Sequence, residues 1–225
     1  YDAYTRPEVF VLEVMGRDAG WLAASCCITG DVDLLVLPEV AFDRDAFLAE
    51  VRAKFEATGS CYIVVSEGAR YADGTYLSAG DTAHDGFAHA VLGGAAQTVK
   101  QMIVDTGIVP RGVVQDLSRA ARSSNFAQSL VDVTEAYDLG MSAHMRSADP
   151  AFTGQVVGIR RNPEAAAEGR YEAELFAGPA SEFANFVKRF PAEWILPNYQ
   201  GITPEAVAYF RPLIEGEPKL VMKGG

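Results

Sequence analysis

The sequence predicts an α/β fold, a Rossmann-like three-layer sandwich in which helices cover a mostly parallel sheet. Two observations carry this prediction: short runs of β-branched and aromatic residues alternate with helical segments, and the runs end at turns containing glycine or proline. Strands that alternate with helices are joined by crossovers, so they pair in parallel. The 225 residues are 49% hydrophobic, which supplies a core of normal size.

In the first half of the chain, three strand-like runs alternate with segments of helical composition or spacing. The first helical segment ends at Gly30, and the second carries Phe47, Leu48 and Val51 at helical intervals. The predicted strands are residues 9–14, 33–37 and 61–65, and the predicted helices are residues 19–28, 44–58 and about 87–105.

In the second half the alternation weakens, and beyond about residue 162 it fades into short helices and Pro- and Gly-bearing turns. The length corresponds to about one and a half domains, so one complete domain and part of a second are expected. The predicted elements are strands at 112–114 and 155–159, and helices at 128–142, near 180–187 and at 204–210.

The charge of the chain limits its partners. Lys and Arg number 19 against 30 Asp and Glu, a net charge of −11. This acidity disfavours nucleic acid and membrane surfaces, so an anionic ligand needs a local cationic site. No apolar run approaches the roughly 18 residues of a membrane span. The three cysteines lack metal-ligand spacing and indicate a reduced, cytoplasmic protein.

Three strand ends are candidate ligand sites, because parallel sheets bind ligands at the carboxyl ends of their strands. At the first, Gly16 permits close approach and Arg17 supplies a bidentate cation; the alternative is an ordinary turn with a solvated arginine. At the third, Glu67 either accepts hydrogen bonds from sugar hydroxyls or caps local N–H groups. Glu39 is interpreted as a turn residue or a metal-adjacent one.

A locally basic segment, residues 107–130, contains three arginines against one aspartate. Arg119 and Arg122 share one face if the segment is helical, and together with Arg111 they could converge on a phosphoryl group. The alternative is a solvated helix face. His84, His89 and His144 lack metal-ligand spacing, no catalytic triad can be argued, and the chain contains no P-loop.

The most specific motif is residues 13–20. Its sequence, Glu-Val-Met-Gly-Arg-Asp-Ala-Gly, resembles the Glu-Val-Met-Gly-Arg…Ala-Gly segment of 6-phosphofructokinases. The resemblance extends over the whole chain, which is similar to the C-terminal half of a pyrophosphate-dependent member of this family. It continues in the family's order through residues 38–42, 67–68, 87–94, 121–124, 131–140 and the tail segment 190–214.

This resemblance implies phosphoryl transfer from pyrophosphate, or from ATP in the sister branch, to the 1-hydroxyl of fructose 6-phosphate. The product is fructose 1,6-bisphosphate, the reaction belongs to glycolysis, and Mg²⁺ is the implied cofactor. Arg17 is suited to stabilise charge on the transferring phosphoryl group, and Arg122 matches the arginine that grips the 6-phosphate. The implied substrate-binding residues are Met15, Gly16, Arg17, Glu67, Arg122, Arg119 and Arg111.

The chain departs from the family pattern in the segments that handle the phosphoryl donor. The family's Gly-Gly-Asp loop and Thr-Ile-Asp-Asn-Asp segment precede the Met-Gly-Arg motif, and neither occurs in this sequence. The catalytic base and the Mg²⁺ ligands are therefore expected outside the chain. Residues 1–121 are expected to form the fructose 6-phosphate domain, and residues 122–225 to return to an incomplete donor domain and a C-terminal extension.

Two functions of different class follow. The first is the acceptor-binding part of a diphosphate-dependent 6-phosphofructokinase, expected to be a homo-oligomer. The alternative is a non-catalytic sugar-phosphate-binding or regulatory subunit that lacks the donor half. A dinucleotide-binding domain is disfavoured, because no Gly-x-Gly-x-x-Gly follows any predicted strand.

Overall fold

The computed structural model describes residues 6–78, 94–109, 111–124 and 128–216, with the backbone alone described at Ser118, Arg119 and Arg122. The chain divides into two compact units. We call residues 1–123 and 187–208 the sheet unit, and residues 124–186 and 209–225 the hairpin unit. Within the described ranges, no helix is long and apolar enough to cross a membrane.

The sheet unit contains four strands and the helices that connect them. A turn of 3₁₀ helix, Cys26–Thr29, continues the first helix, and another lies at Ala192–Trp194. The strands are β1 (Val9–Val14), β2 (Leu34–Val36), β3 (Cys61–Ser66) and β4 (Gly112–Asp116), and the helices are α1 (Trp21–Ser25), α2 (Arg44–Thr58), α3 (Ala95–Asp105) and α4 (Ser118–Ser123).

The four strands form a parallel sheet in the order β2-β3-β1-β4. Val9 lies opposite Cys61 on one side and Gly112 on the other, so β1 is central. At the other end, Val14 lies opposite Ser66. The carboxyl ends of β1 and β3 therefore meet at one edge of the sheet, as the sequence predicts.

The core lies between the sheet and its helices. α2 buries Phe47 and Val51, and α3 buries Val99 and Ile103, all of which are fully inaccessible to solvent. Burying a side chain of this size contributes roughly 1.5–3 kcal/mol relative to leaving it exposed. These apolar residues recur at helical spacing, and for this reason the sequence folds into helices that cover the sheet.

The ends of α2 show how local sequence sets the element boundaries. The Asp43 carboxylate accepts hydrogen bonds from the N–H groups of Asp45 and Ala46, both at 3.0 Å. At the other end, Gly59 takes a left-handed conformation with φ of 76° and closes the helix. The predicted bounds of this helix are confirmed.

The hairpin unit is built on an antiparallel pair of strands and one long helix. Ser129 caps the helix, since its hydroxyl accepts from Asp132 N and donates to Leu213 O. The 3₁₀ turns are Pro150–Phe152 and Arg211–Ile214. The elements are α5 (Leu130–Ser147), β5 (Gln155–Arg161), α6 (Pro163–Ala167), β6 (Ala173–Pro179) and α7 (Ala180–Phe183), and a last helix, α8 (Pro204–Phe210), extends from residues of the sheet unit into this one.

The α/β class with a mostly parallel sheet is confirmed. Residues 187–208 belong to the sheet unit, although they lie beyond residue 121. The reason lies in two aromatic side chains of this stretch: Phe190 is buried, and the ring of Tyr199 packs on Phe47. The functional division expected at residue 121 stays a prediction. The first seven residues of the predicted helix 87–105 lie outside the described residues.

Candidate functional site

The candidate site is formed by two neighbouring loops at the carboxyl edge of the sheet. Residues 15–20 follow β1, and residues 66–70 lie at the end of β3. We call them the β1 loop and the β3 loop. Because Val14 lies opposite Ser66 in the parallel pairing, the two loops leave the sheet side by side.

Gly16 is bonded to the β3 loop through both of its main-chain polar groups. Its carbonyl accepts from Ser66 Oγ at 2.6 Å and from Gly68 N at 3.1 Å, and its N–H donates to Glu67 Oε1 at 3.2 Å. Its φ of 147° favours glycine, and a Cβ here would lie 2.5 Å from Ser66 Oγ. The two candidate strand ends are thus joined into one structure.

Gly68 marks the closest approach of the two loops. A Cβ at this position would lie 1.9 Å from Arg17 O, a distance that no side chain can occupy. Glycine is therefore required because the backbone of the β1 loop passes directly over it.

Arg17 is half-buried at this junction. Its Nε is buried and finds no hydrogen-bond partner among the described residues. Leaving a charged donor buried and unpaired is unfavourable by more than the roughly 1–3 kcal/mol of a neutral group. A cationic donor held in this way is suited to receive an anionic ligand, which would supply the missing acceptor.

Arg70 holds the β1 loop from the side of the β3 loop. Its Nη2 donates to Arg17 O at 2.9 Å and to Asp18 Oδ1 at 2.8 Å, and its guanidinium lies 4.7 Å from the centroid of the Tyr76 ring. The sequence analysis missed this residue. Its partners lie more than 50 residues away along the chain, so no local pattern pointed to it.

Glu13 is a second residue whose role the sequence analysis did not find. Only 2% of it is exposed, and its two carboxylate oxygens accept from Gly94 N at 3.0 Å and Ala96 N at 2.9 Å. Burial raises the pKa of Glu13, while these two hydrogen bonds act in the opposite direction. The carboxylate anchors the start of α3 to the central strand beside the β1 loop.

Glu39, at the end of the β2 strand, has a structural role in this fold. Its carboxylate accepts from Gly20 N at 2.9 Å and from Phe190 N at 2.8 Å. It therefore ties the start of α1 and the segment around Phe190 to the sheet. Both partners are distant in the sequence, so this role differs from that of a local turn residue.

The three arginines of the basic segment are not brought to one point by the described structure. Arg111 precedes β4 at the amino edge of the sheet, opposite the candidate loops, and pairs with the buried Glu8 at 3.3 Å. Arg119 and Arg122 lie in α4, which begins at the carboxyl edge, where Leu117 N donates to Glu13 O. The side chains of these two arginines lie outside what the structure describes.

The remaining polar candidates do not add a metal centre. Among the described residues, no group of three His, Cys, Asp or Glu side chains is placed to hold a metal ion. His84 and His89 lie outside the described residues, and His144 lies on α5 in the hairpin unit. The structure thus brings together Met15, Gly16, Arg17 and Glu67, and it leaves Arg111 apart from them.

Known proteins resemble this chain in sequence and in fold. The chain is 40% identical to a pyrophosphate–fructose 6-phosphate 1-phosphotransferase of Halomonas elongata over 95% of its length and 50% of that protein. It is 38% identical to a protein of the same name from Methylococcus capsulatus over 99% of its length and 53% of that protein. The chain thus spans about half the length of these curated relatives.

Solved structures and a family model agree with these relatives. A pyrophosphate-dependent phosphofructokinase from Nitrosospira multiformis has a TM-score of 0.77 and 28% identity, covering 100% of this chain and 52% of that one. The family model described as Phosphofructokinase matches residues 2–144, more than half of the chain. The chain therefore belongs to the phosphofructokinase family.

Proposed function

We propose that this chain is the acceptor-binding part of a pyrophosphate-dependent 6-phosphofructokinase. The complete enzyme would transfer a phosphoryl group from pyrophosphate to the 1-hydroxyl of fructose 6-phosphate and release fructose 1,6-bisphosphate. The observation that carries the proposal is the buried Nε of Arg17, which has no hydrogen-bond partner among the described residues and lies where the β1 and β3 loops meet, within the region that the family model matches.

The chemistry of phosphoryl transfer fits such a site, because it depends on positioning and on neutralising charge rather than on covalent catalysis. In the proposal, Arg17 stabilises the transferring phosphoryl group. Met15, Gly16 and Glu67 hold the sugar. Glu67 Oε1 accepts from Gly16 N, and Oε2, to which no described residue donates, would accept from a sugar hydroxyl.

The 6-phosphate is assigned to Arg122, with Arg119 beside it. Both residues belong to α4, whose first turn lies at the same sheet edge as the two loops. The placement of Arg111 at the opposite edge, paired with Glu8, argues against its joining this site within one chain.

Pyrophosphate rather than ATP is proposed as the donor because the relatives that cover nearly the whole chain carry pyrophosphate in their names. Mg²⁺ is proposed as the cofactor on the resemblance alone. The described residues offer no cluster of ligands that fits the ion, so none of them is assigned to it.

We further propose that the hairpin unit completes a donor domain whose main part is the half that the relatives carry in addition. Its long helix, α5, exposes large apolar side chains and borders a groove of about 630 Å³. Such a face is stabilised when another surface covers it. The exposed residues are Leu130, Tyr137, Met141 and Met145.

A homo-oligomeric state and a cytoplasmic location are further parts of the proposal. The cytoplasmic location is supported by the three free thiols.

Thermal unfolding with added fructose 6-phosphate tests the proposal on the 225-residue chain. A ligand at about one hundred times its Kd stabilises the folded state by about 2.7 kcal/mol, so the unfolding midpoint should rise. Arg122→Ala should abolish this rise, while the exposed control Arg52→Ala should keep it. Equal protection of both variants would refute the assignment of the 6-phosphate to Arg122.

A further inference from the structure

The β1 loop is held at Arg17 by a single described contact on its carbonyl. Within the described residues, no main-chain N–H donates to Arg17 O; its donor is Arg70 Nη2 at 2.9 Å. Arg70 Nη2 also donates to Asp18 Oδ1 at 2.8 Å, and Arg70 Nε donates to Gly68 O at 3.3 Å. The Arg70 guanidinium thus contacts Arg17, the neighbouring Asp18, and Gly68 of the β3 loop. Arg17 is the residue whose own Nε has no partner among the described residues.

The backbone and side chain of Arg70 are held by several further contacts. Arg70 pairs with Tyr76 across a short antiparallel turn that Tyr71 N closes on Thr75 O at 2.8 Å. Its own carbonyl accepts from Phe42 N at 2.8 Å, and the Phe42 side chain is buried in the core. The guanidinium also lies against the Tyr76 ring, which limits its orientation. Arg70 is therefore also held by contacts outside the β1 loop, to Phe42 and to the turn that ends at Tyr76.

The geometry favours arginine over another cation. The guanidinium directs several N–H groups along fixed directions within one plane, whereas a lysine ammonium is a point charge on a flexible chain. The three acceptors, Arg17 O, Asp18 Oδ1 and Gly68 O, match the planar guanidinium of Arg70. The side chain is 28% exposed and the Asp18 carboxylate 42%, so the pair is partly shielded from solvent.

We propose that Arg70 is a positioning residue that fixes the backbone of Arg17 and thereby aims its guanidinium at the phosphoryl group. This inference rests on the proposed function, since it assigns Arg70 a role in the same site. Arg70 acts through Arg17 and does not itself contact the ligand. Misplacing a binding group by about 1 Å can lower a rate by about a hundredfold, so loss of this contact should be measurable.

A double-mutant cycle on the 225-residue chain tests the proposal, with fructose 1,6-bisphosphate as the probe because it carries a phosphoryl group at the reacting position. Calorimetric titration gives Kd for the wild type, Arg70→Gln, Arg17→Gln and the double variant. We expect Arg70→Gln to weaken binding about tenfold or more, and to have no further effect once Arg17 is replaced. Arg70→Lys should recover part of the affinity, and the exposed control Arg52→Gln should bind like the wild type.

Two results of the cycle would overturn the proposal. Equal losses from Arg70→Gln in the presence and absence of Arg17 would mean that Arg70 acts independently of it. An unchanged Kd in Arg70→Gln and Arg70→Lys would mean that the contact does not position the site. If Arg70→Gln does not fold, Arg70→Lys replaces it in the cycle and must show the same dependence on Arg17.

Amide hydrogen exchange separates failure of this inference from failure of the proposed function. Absence of any sugar-phosphate binding by the wild type would refute the function and leave the positioning role to be decided by exchange. Arg70→Gln should then speed exchange at Gly68 N, which is bonded to Gly16 O, and leave Gly20 N, which is bonded to Glu39, unchanged. Unchanged exchange at Gly68 would overturn the positioning role.

Discussion

The two units bury apolar surface very differently. Of the 30 hydrophobic side chains that are buried in the described residues, 28 lie in the sheet unit and two, Ala165 and Phe210, in the hairpin unit. The hairpin unit instead relies on polar and cation–aromatic contacts, such as Arg161 against the ring of Tyr209 and Tyr171 on Glu135. The sheet unit has the core of an independent domain, whereas the hairpin unit has a face that needs a cover.

The largest expected effect contrasts the truncation of one aromatic side chain in each unit. Phe47 is fully buried in the sheet unit, so Phe47→Ala should lower the free energy of unfolding by about 3–5 kcal/mol. Tyr137 is 67% exposed on α5, so Tyr137→Ala should change it by no more than about 0.5 kcal/mol. Denaturant titration of both variants measures the difference, and comparable losses would contradict the contrast.

A pair of glycine substitutions sharpens the comparison. Gly68→Ala places a Cβ against Arg17 O, so it should destabilise the chain by about 1–3 kcal/mol and abolish fructose 6-phosphate binding. Gly140 lies within α5 with nothing near its missing Cβ, so Gly140→Ala should stabilise by about 0.5–1 kcal/mol. Thermal unfolding with and without the sugar phosphate reports both effects; tolerance of Gly68→Ala would show that the loops do not touch.

A smaller effect is expected from the polar contacts of the hairpin unit. The Tyr171 hydroxyl donates to Glu135 Oε1 at 2.6 Å, so Tyr171→Phe should cost about 0.5–1.5 kcal/mol. Tyr137→Phe, on the exposed side of the same unit, serves as the control. Exchange rates of the β5 amides should rise only in Tyr171→Phe, and equal rates in the two variants would argue against this contact.

The smallest effect concerns the pH dependence of stability. The pKa of Glu13 is raised from 4.5 in the folded chain, so its contribution is fully present below that value and is lost as the pH rises through the folded pKa. The stability of the wild type relative to Glu13→Gln should therefore increase as the pH falls from neutral towards 4.5. Denaturant titrations across this range would show a constant difference if Glu13 did not titrate.

Local signals were sufficient to predict the strands of the sheet unit and its helix α2. The run 9–14 and the helix Arg44–Thr58 have the predicted bounds, because apolar spacing, the Asp43 cap and Gly59 act over a few residues. β6, at Ala173–Pro179, was missed because it contains no β-branched residue and its side chains are half-buried on both faces. Its pairing with β5, and not its own composition, makes it a strand.

The candidate site shows the same difference between residues set by local sequence and residues set by tertiary contacts. Gly16 and Glu67 could be predicted because each sits at the end of a recognisable strand, and the parallel register then brings them together. Arg70 and Glu13 could not, since their partners are distant in sequence and are set by tertiary packing. Convergence of Arg111 with the other arginines was expected from charge alone, and the register of β4 instead places it at the amino edge.

Turnover most directly tests the central claim, that Arg17 in the β1 loop binds the transferring phosphoryl group. The protein expressed from its complete reading frame would be assayed for fructose 1,6-bisphosphate formation from fructose 6-phosphate and pyrophosphate. We predict that Arg17→Ala lowers kcat by about a hundredfold or more, while Arg170→Ala, a surface arginine of the hairpin unit, leaves it unchanged. Equal rates for the two variants, or binding without turnover in the wild type, would contradict the claim.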